Sequence, residues 1–67
     1  MNKLKQAREA LGKSKVAVAR EAGITRMAYF RYEKGLRLPK VESAMKIAKA
    51  LDSTVEELWG HVMVPQQ

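Results

Sequence analysis

Residues 13–35 read KSKVAVAREAGITRMAYFRYEKG, and two short helical patterns within this stretch decide the fold. A helix is predicted over residues 15–22, because Ser14 is a good N-cap and no helix breaker follows it. Gly23 then supplies the positive φ that a tight turn out of a helix needs. A second helix follows over residues 26–34, so the stretch predicts two helices joined by a tight turn.

The second helix of this pair, which Thr25 caps and Gly35 ends, has two unlike faces. With about 100° of rotation per residue, one arc of about 140° carries three cations, a thioether and a phenyl ring. These residues are Arg26, Met27, Phe30, Arg31 and Lys34. A helix that only stabilised its own fold would not place apolar groups among cations. This face is therefore predicted to contact an anionic partner that has apolar spots.

Helix, glycine turn and helix, with the small Ala19 four residues before Gly23, resemble the helix-turn-helix of the Cro/repressor (XRE) family of DNA-binding proteins. Upstream, LKQAREALGKS resembles that family's first helix and turn, and downstream EKGLRLPKVESAMKIAKALDSTVEELW resembles its proline-containing loop and last two helices. The resemblance covers residues 4–59 roughly. Core positions of the family fall on Val18, Ala22, Ile24, Tyr29 and Tyr32.

This resemblance implies an all-α, five-helix lambda-repressor-like domain with a central helix-turn-helix over residues 1–60. Residues 61–67 would form a short tail and a candidate dimerisation arm. The function implied is a sequence-specific double-stranded DNA-binding transcriptional regulator that binds a pseudo-palindrome as a homodimer. The alternative is a protein-interaction module on the same fold, with Met27 and Phe30 as its anchor.

Charge is divided unevenly along the 67 residues, whose net charge is +6. Residues 1–40 hold 11 Lys and Arg against 3 Asp and Glu, whereas residues 41–67 hold 2 against 4. Basic surfaces are common for solubility alone. Their concentration in the half that holds the helix-turn-helix indicates a nucleic-acid partner.

Several chemistries are excluded by composition. The chain has no cysteine and one histidine, His61, and it offers neither a glycine-rich phosphate loop nor paired carboxylates in an apolar setting. We therefore predict no enzyme activity, no cofactor or metal, and no small-molecule ligand. No apolar run approaches the ~20 residues that span a bilayer, and no signal-peptide core is present, so the cytoplasm is the predicted compartment.

Arg8 has two interpretations, a solvated helix charge or a structural partner for Glu33. In the family an arginine at this position pairs with the glutamate that ends the recognition helix, which corresponds here to the helix over residues 26–34. Glu33 lies on the packed side of its helix, where an unpaired carboxylate is costly. A bidentate Arg8–Glu33 pair is the interpretation that we favour.

Three positions at or just before the start of the helix over residues 15–22 depart from the family pattern. Lys13 replaces an apolar residue, so either its stem packs while the ammonium reaches solvent or the loop differs locally. Lys15 stands where the family often has glutamine. The lysine can still contact a phosphate, but it lacks the paired donor and acceptor that read adenine. Val16 shields the turn or is a lone exposed apolar residue.

The resemblance also assigns DNA-contact roles. The recognition helix would enter the major groove, with Arg26 and Arg31 as candidates for guanine and Met27 and Phe30 for thymine methyls or sugars. Which arginine reads a base stays open. The remaining predicted DNA contacts, chiefly to the phosphate backbone, are Ser14, Lys15, Thr25, Lys34, Arg37 and Lys40.

The C-terminal third predicts two further helices. A core-facing stripe is predicted from the spacing of Val41, Ala44, Met45, Ala48 and Leu51, with Ile47 beside them. Thr54-x-x-Glu57 is a capping box that opens a short helix through Trp59, and Gly60 is predicted to end it.

The segment after Gly60 is predicted to be a short strand or an extended arm over residues 62–64. A homodimer interface is predicted here because four large apolar groups gather near the chain end. They are Trp59, Val62, Met63 and Val64. The alternative is that Trp59 caps the core of the monomer.

Overall fold

Five helices and no strand make up residues 3–63, the part of the chain that a computed structural model describes, with side chains described for residues 3–60. The helices are α1 (Leu4–Ala10), α2 (Lys15–Ala22), α3 (Arg26–Glu33), α4 (Val41–Ala50) and α5 (Val55–Met63). The all-α, five-helix prediction is therefore confirmed. α2 has the predicted bounds, and α3 ends one residue early because Lys34 is its C-cap.

Side-chain caps and one left-handed residue shape the α2–α3 unit. The Ser14 and Thr25 hydroxyl oxygens accept hydrogen bonds from the N–H groups of Ala17 and Ala28, each at 3.0 Å. Gly23 has a φ of 69°, a conformation that a side chain would strain. These caps and the φ of Gly23 depend only on residues close in sequence, and together they shape the turn between the two helices.

α2 lies at the centre of the domain and packs against both α3 and α4. Its small Ala19 and Ala22 are buried, which allows the neighbouring helices to approach closely. The largest fully buried side chains come from every helix of the chain. They are Leu4, Val18, Tyr29, Ile47, Leu58 and Trp59.

Two predicted core positions on α4 are wrong, because Val41 is 69% exposed and Met45 is 60% exposed. The buried stripe of this helix instead contains Ala44, Ile47, Ala48, Ala50 and Leu51 at its end. On the helical wheel its centre lies about 90° from Val41 and about 130° from Met45. α4 packs against α2 through this buried stripe, which leaves Val41 and Met45 outside.

α5 continues through Gly60 to Met63, so the predicted helix end at Gly60 is wrong. A glycine costs a helix only about 1 kcal/mol, and the Thr54 cap, with Leu58 and Trp59 buried, stabilises the helix around it. Val62 and Met63 are therefore helical rather than extended, whereas Val64 lies outside the described residues.

Trp59 is buried with no exposed surface and belongs to the hydrophobic core. Its predicted place on an open dimer interface is therefore wrong, and the alternative, in which it caps the core, is the observed one. The helical spacing explains this, since Trp59 follows the buried Leu58 and comes four residues after the partly buried Val55. None of the described helices has the length and apolar character required to cross a membrane.

Candidate nucleic-acid interface

The outer face of α3 carries the predicted contact residues at the surface. Arg26, Arg31 and Lys34 are exposed, and Met27 is 58% exposed, although it is a large apolar side chain. Phe30 is half-buried between them. Tyr29, on the opposite side of the helix, is completely buried and anchors α3 in the core.

A groove of about 510 Å³ lies between the start of α2 and the outer face of α3. It brings together five of the ten residues predicted to contact DNA, and Arg8 and Val16 complete its lining. The five are Ser14, Lys15, Arg26, Met27 and Phe30. Val16 is 40% exposed and lines this groove together with Met27 and Phe30.

Phe30 lies between two ammonium groups. Lys15 Nζ from α2 is 5.0 Å from the ring centroid, and Lys34 Nζ, one helical turn after Phe30, is 5.3 Å from it. A cation within about 6 Å of an aromatic ring is attracted to its face. The ring therefore holds both lysines beside the groove, and the phosphate-binding candidates and the apolar candidate form one unit.

Among residues 3–60, five exposed or half-exposed cations on this side of the domain form no salt bridge. Within residues 3–60 the salt bridges join Arg8 to Glu33 and Lys13 to Glu21. The unpaired cations of the groove and α3 are Lys15, Arg26, Arg31, Lys34 and, in the following loop, Arg37. Their charge is therefore available to an anionic partner.

Arg8 and Glu33 are brought together in the bidentate geometry. Arg8 Nε donates to Glu33 Oε2 at 2.8 Å and Nη2 donates to Oε1 at 3.2 Å, while Nη1 donates to the Lys13 carbonyl at 3.0 Å. The two side chains are only 11% and 6% exposed. One guanidinium thus ties α1, the α1–α2 loop and the last turn of α3 together, which sets the angle at which α3 is presented.

Burial raises the pKa of Glu33, but the hydrogen bond from Arg8 and the neighbouring Tyr29 outweigh this effect, so the net pKa lies below its ordinary value of 4.5. The Tyr29 hydroxyl is buried beside the same pair and makes no hydrogen bond of standard geometry. Burial first, and the Glu33 carboxylate second, raise the pKa of Tyr29. Both residues therefore keep fixed protonation states near neutral pH.

Lys13 adopts a geometry that neither sequence interpretation described. Its ammonium donates to Glu21 Oε1 and to the Ala50 carbonyl, both at 2.8 Å. A cation at the last turn of a helix is favourable because the carbonyl ends of the helix carry partial negative charge. Lys13 consequently links the α1–α2 loop to α2 and to the end of α4.

Five predicted contacts lie outside the groove lining, and one of them, Lys34, lies beside it next to the Phe30 ring. Arg31 is exposed on α3, and Thr25 is exposed at its N-terminus, where its oxygen caps the helix while its O–H proton remains able to donate. Arg37 and Lys40 are exposed in the loop between α3 and α4. No described contact joins these two residues to the groove.

The described residues contain no group of three or more His, Cys, Asp or Glu side chains placed to hold a metal ion. A helix-turn-helix family model matches residues 4–58, which is most of the chain. The chain belongs to the XRE-type helix-turn-helix family. This family is a DNA-binding class without enzymatic activity. In this chain the groove lies between α2 and α3, the two helices of the helix-turn-helix.

Two relatives carry regulator names. The chain is 40% identical over 58 residues to the cryptic phage CTXphi transcriptional repressor RstR of Vibrio cholerae, a match that covers 87% of this chain and 52% of the repressor. It is 43% identical over 49 residues to MJ1164 of Methanocaldococcus jannaschii, which bears the name of an HTH-type transcriptional regulatory protein. That match covers 73% of this chain and 15% of the relative, so this chain spans at most about half of either protein.

Proposed function

We propose that this protein is a sequence-specific double-stranded DNA-binding transcriptional regulator with α3 as the recognition helix. The observation that carries the proposal is the α2–α3 groove, where unpaired cations surround apolar side chains on a member of a DNA-binding family. Two relatives that carry regulator names match 87% and 73% of this chain. In this proposal α3 enters the major groove with its N-terminal end deepest.

The proposed base contacts come from the exposed face of α3. A guanidinium can donate two hydrogen bonds to guanine O6 and N7, which makes Arg26 and Arg31 the candidates for reading guanine. Met27 and Phe30 are the candidates for thymine methyl groups, since these are the apolar feature of the major groove. Bases read by these side chains would give the protein its sequence preference.

The proposed phosphate contacts surround that face. Lys15 and Lys34 flank Phe30, and the Ser14 and Thr25 hydroxyls accept a backbone hydrogen bond while keeping a proton that can be donated. Arg37 and Lys40 extend the cationic surface into the next loop. Such contacts position the protein on the duplex without reading its sequence.

The proposal includes a homodimer on a pseudo-palindromic site. One recognition helix reads only a few base pairs, which is too little to select one site among the competitors of a genome. A two-fold dimer doubles the sequence read, with half-sites about 34 Å apart. Since Trp59 is buried, the tail interface keeps only Val62, Met63 and Val64, and these stay a prediction. The cytoplasmic location also stays a prediction.

Selection of bound duplexes from a random-sequence pool, followed by affinity measurements between about 50 and 200 mM salt, tests the proposal. We expect one enriched motif with two-fold symmetry and an affinity that falls linearly with salt on logarithmic scales. The competing protein-interaction module would use the same apolar groove without electrostatic attraction to a duplex. No enrichment together with salt-insensitive binding would exclude DNA reading and favour that module.

A further inference from the structure

The solvent face of α4 exposes apolar side chains that the DNA-binding proposal does not use. Val41 and Met45 are 69% and 60% exposed, and they lie one helical turn apart on the same side of the helix. Met45 continues into a shallow pocket with Ala48 and Val55. Together Val41 and Met45 form a narrow exposed apolar stripe along the outside of the domain, which we call the α4 stripe, whereas the neighbouring Ala48 is buried.

Charges beside the α4 stripe are arranged in a self-complementary way. Glu42 lies three residues before Met45 and Lys49 lies four residues after it. At about 100° per residue, these two side chains point within about 20° of each other on the helical wheel and flank the same edge of the stripe. Neither forms an ion pair within residues 3–60, so both charges are unused in the described monomer.

A second copy of the helix, placed antiparallel by a two-fold axis through Met45, matches this pattern. The axis reverses height along the helix and keeps each flank on the same side of the pair. Glu42 and Lys49 lie about 4.5 Å and 6 Å from Met45 in opposite directions, given a rise of 1.5 Å per residue. Each Glu42 therefore faces a Lys49 of the other copy, and Met45 meets itself.

We propose that the α4 stripe is a homodimer interface in which two copies pack antiparallel about Met45. This inference rests on the homodimer in the proposed function and assigns it to α4, in place of the predicted tail interface of Val62, Met63 and Val64. Seven residues separate the end of the recognition helix from Val41, the first residue of the stripe. Two symmetric ion pairs fix the register of the pair, and the two methionines supply the central apolar contact.

Charge reversal tests the register. Glu42→Lys or Lys49→Glu alone places like charges opposite each other twice per dimer, and we expect the dimer dissociation constant to rise about tenfold in analytical ultracentrifugation. The double variant Glu42→Lys, Lys49→Glu restores both pairs with exchanged signs, and its dissociation constant should return to near the parent value. If the double variant associates no better than either single variant, the antiparallel register is wrong.

Cross-linking tests the position of the axis, because the chain has no cysteine of its own. Met45→Cys should form a disulfide-linked dimer on oxidation, with and without a duplex pool of random sequence present. Lys5→Cys, on the exposed side of α1, is the matched control and should stay monomeric under the same conditions. A parent that is dimeric while Met45→Cys does not cross-link would overturn the α4 interface and leave the proposed homodimer intact.

A parent that sediments as a monomer at all concentrations and on the duplex would overturn both the interface and the homodimer. Duplex selection, measured separately, would still decide whether the protein reads DNA. Circular dichroism of each variant separates loss of association from loss of folding.

Discussion

Arg8 and Glu33 join the first helix to the last turn of the recognition helix by two parallel hydrogen bonds of 2.8 Å and 3.2 Å. Twenty-five residues separate them in sequence, so only the folded domain brings them together. A third bond, from Arg8 Nη1 to the Lys13 carbonyl, holds the guanidinium in place. The pair positions α3 from its inner side and leaves its outer face free.

Glu33→Gln should lower the free energy of unfolding by about 3 kcal/mol, because it leaves the Arg8 charge buried without a compensating carboxylate. Glu21→Gln is the matched control. It removes the Lys13 partner from a pair whose side chains are 31% and 45% exposed, and it should cost about 0 to 1 kcal/mol. Urea unfolding followed by circular dichroism measures both losses in the free energy of unfolding. Equal losses would show that burial does not determine how much the Arg8–Glu33 pair stabilises the protein.

Glu33 should also make stability depend on pH. Because its folded pKa lies below the ordinary value of 4.5, its contribution is fully present above about pH 4.5 and is lost as the pH falls through the folded pKa. The stability difference between the parent and Glu33→Gln should therefore shrink at acidic pH. Urea midpoints of both proteins at pH 7, 5, 4 and 3 test this. A difference that stays constant down to pH 3 would contradict the lowered pKa.

Lys34→Ala should weaken binding to all duplex sequences alike. If Lys34 holds one phosphate, the slope of log affinity against log salt should become less steep by about 0.9. Lys5→Ala removes an exposed cation from α1 and serves as the control, with an expected slope equal to that of the parent. Fluorescence anisotropy at several salt concentrations gives both slopes.

Arg26→Ala and Arg31→Ala should differ in kind if one arginine reads a base and the other holds a phosphate. Replacing the base-reading arginine should cost about 1 to 3 kcal/mol of binding free energy on the selected site and relax the sequence preference at one base pair. The phosphate-holding residue should lose affinity for every sequence. If duplex selection with both variants, and with Met27→Ala and Phe30→Ala, returns the parent motif unchanged, α3 is not the reading element.

Phe30→Leu should separate two roles of the phenyl ring. Leucine keeps an apolar group for a thymine methyl but removes the attraction of about 0.5 to 1 kcal/mol that an exposed ring exerts on a cation such as Lys15 or Lys34. We therefore expect preserved discrimination of thymine from uracil and a less steep salt dependence. Phe30→Ala should lose both, and anisotropy on thymine- and uracil-containing duplexes measures the difference.

Much of the fold follows from local sequence signals. The Ser14 and Thr25 caps and the positive φ of Gly23 depend on residues within one turn of the chain, and each was predictable for that reason. Helix periodicity likewise identified the unlike faces of α3. The Arg8–Glu33 pair came from the family pattern, because no local rule connects residues so far apart.

Tertiary packing decided the points at which helical periodicity allows more than one answer. The spacing of α4 predicted a buried stripe in which Val41 and Met45 join Ala44, but packing against α2 left Val41 and Met45 exposed. In the same way, Gly60 signals a helix end, yet α5 continues past it.

Burial of Trp59 and the two contacts of Lys13 also required the folded chain. The sequence by itself determined the helices, their caps and the cationic face of α3, because these depend on neighbours within a few residues. Only the tertiary structure decided which apolar groups remain outside, since helices leave part of each apolar surface uncovered and the shape of the partner helix determines which part.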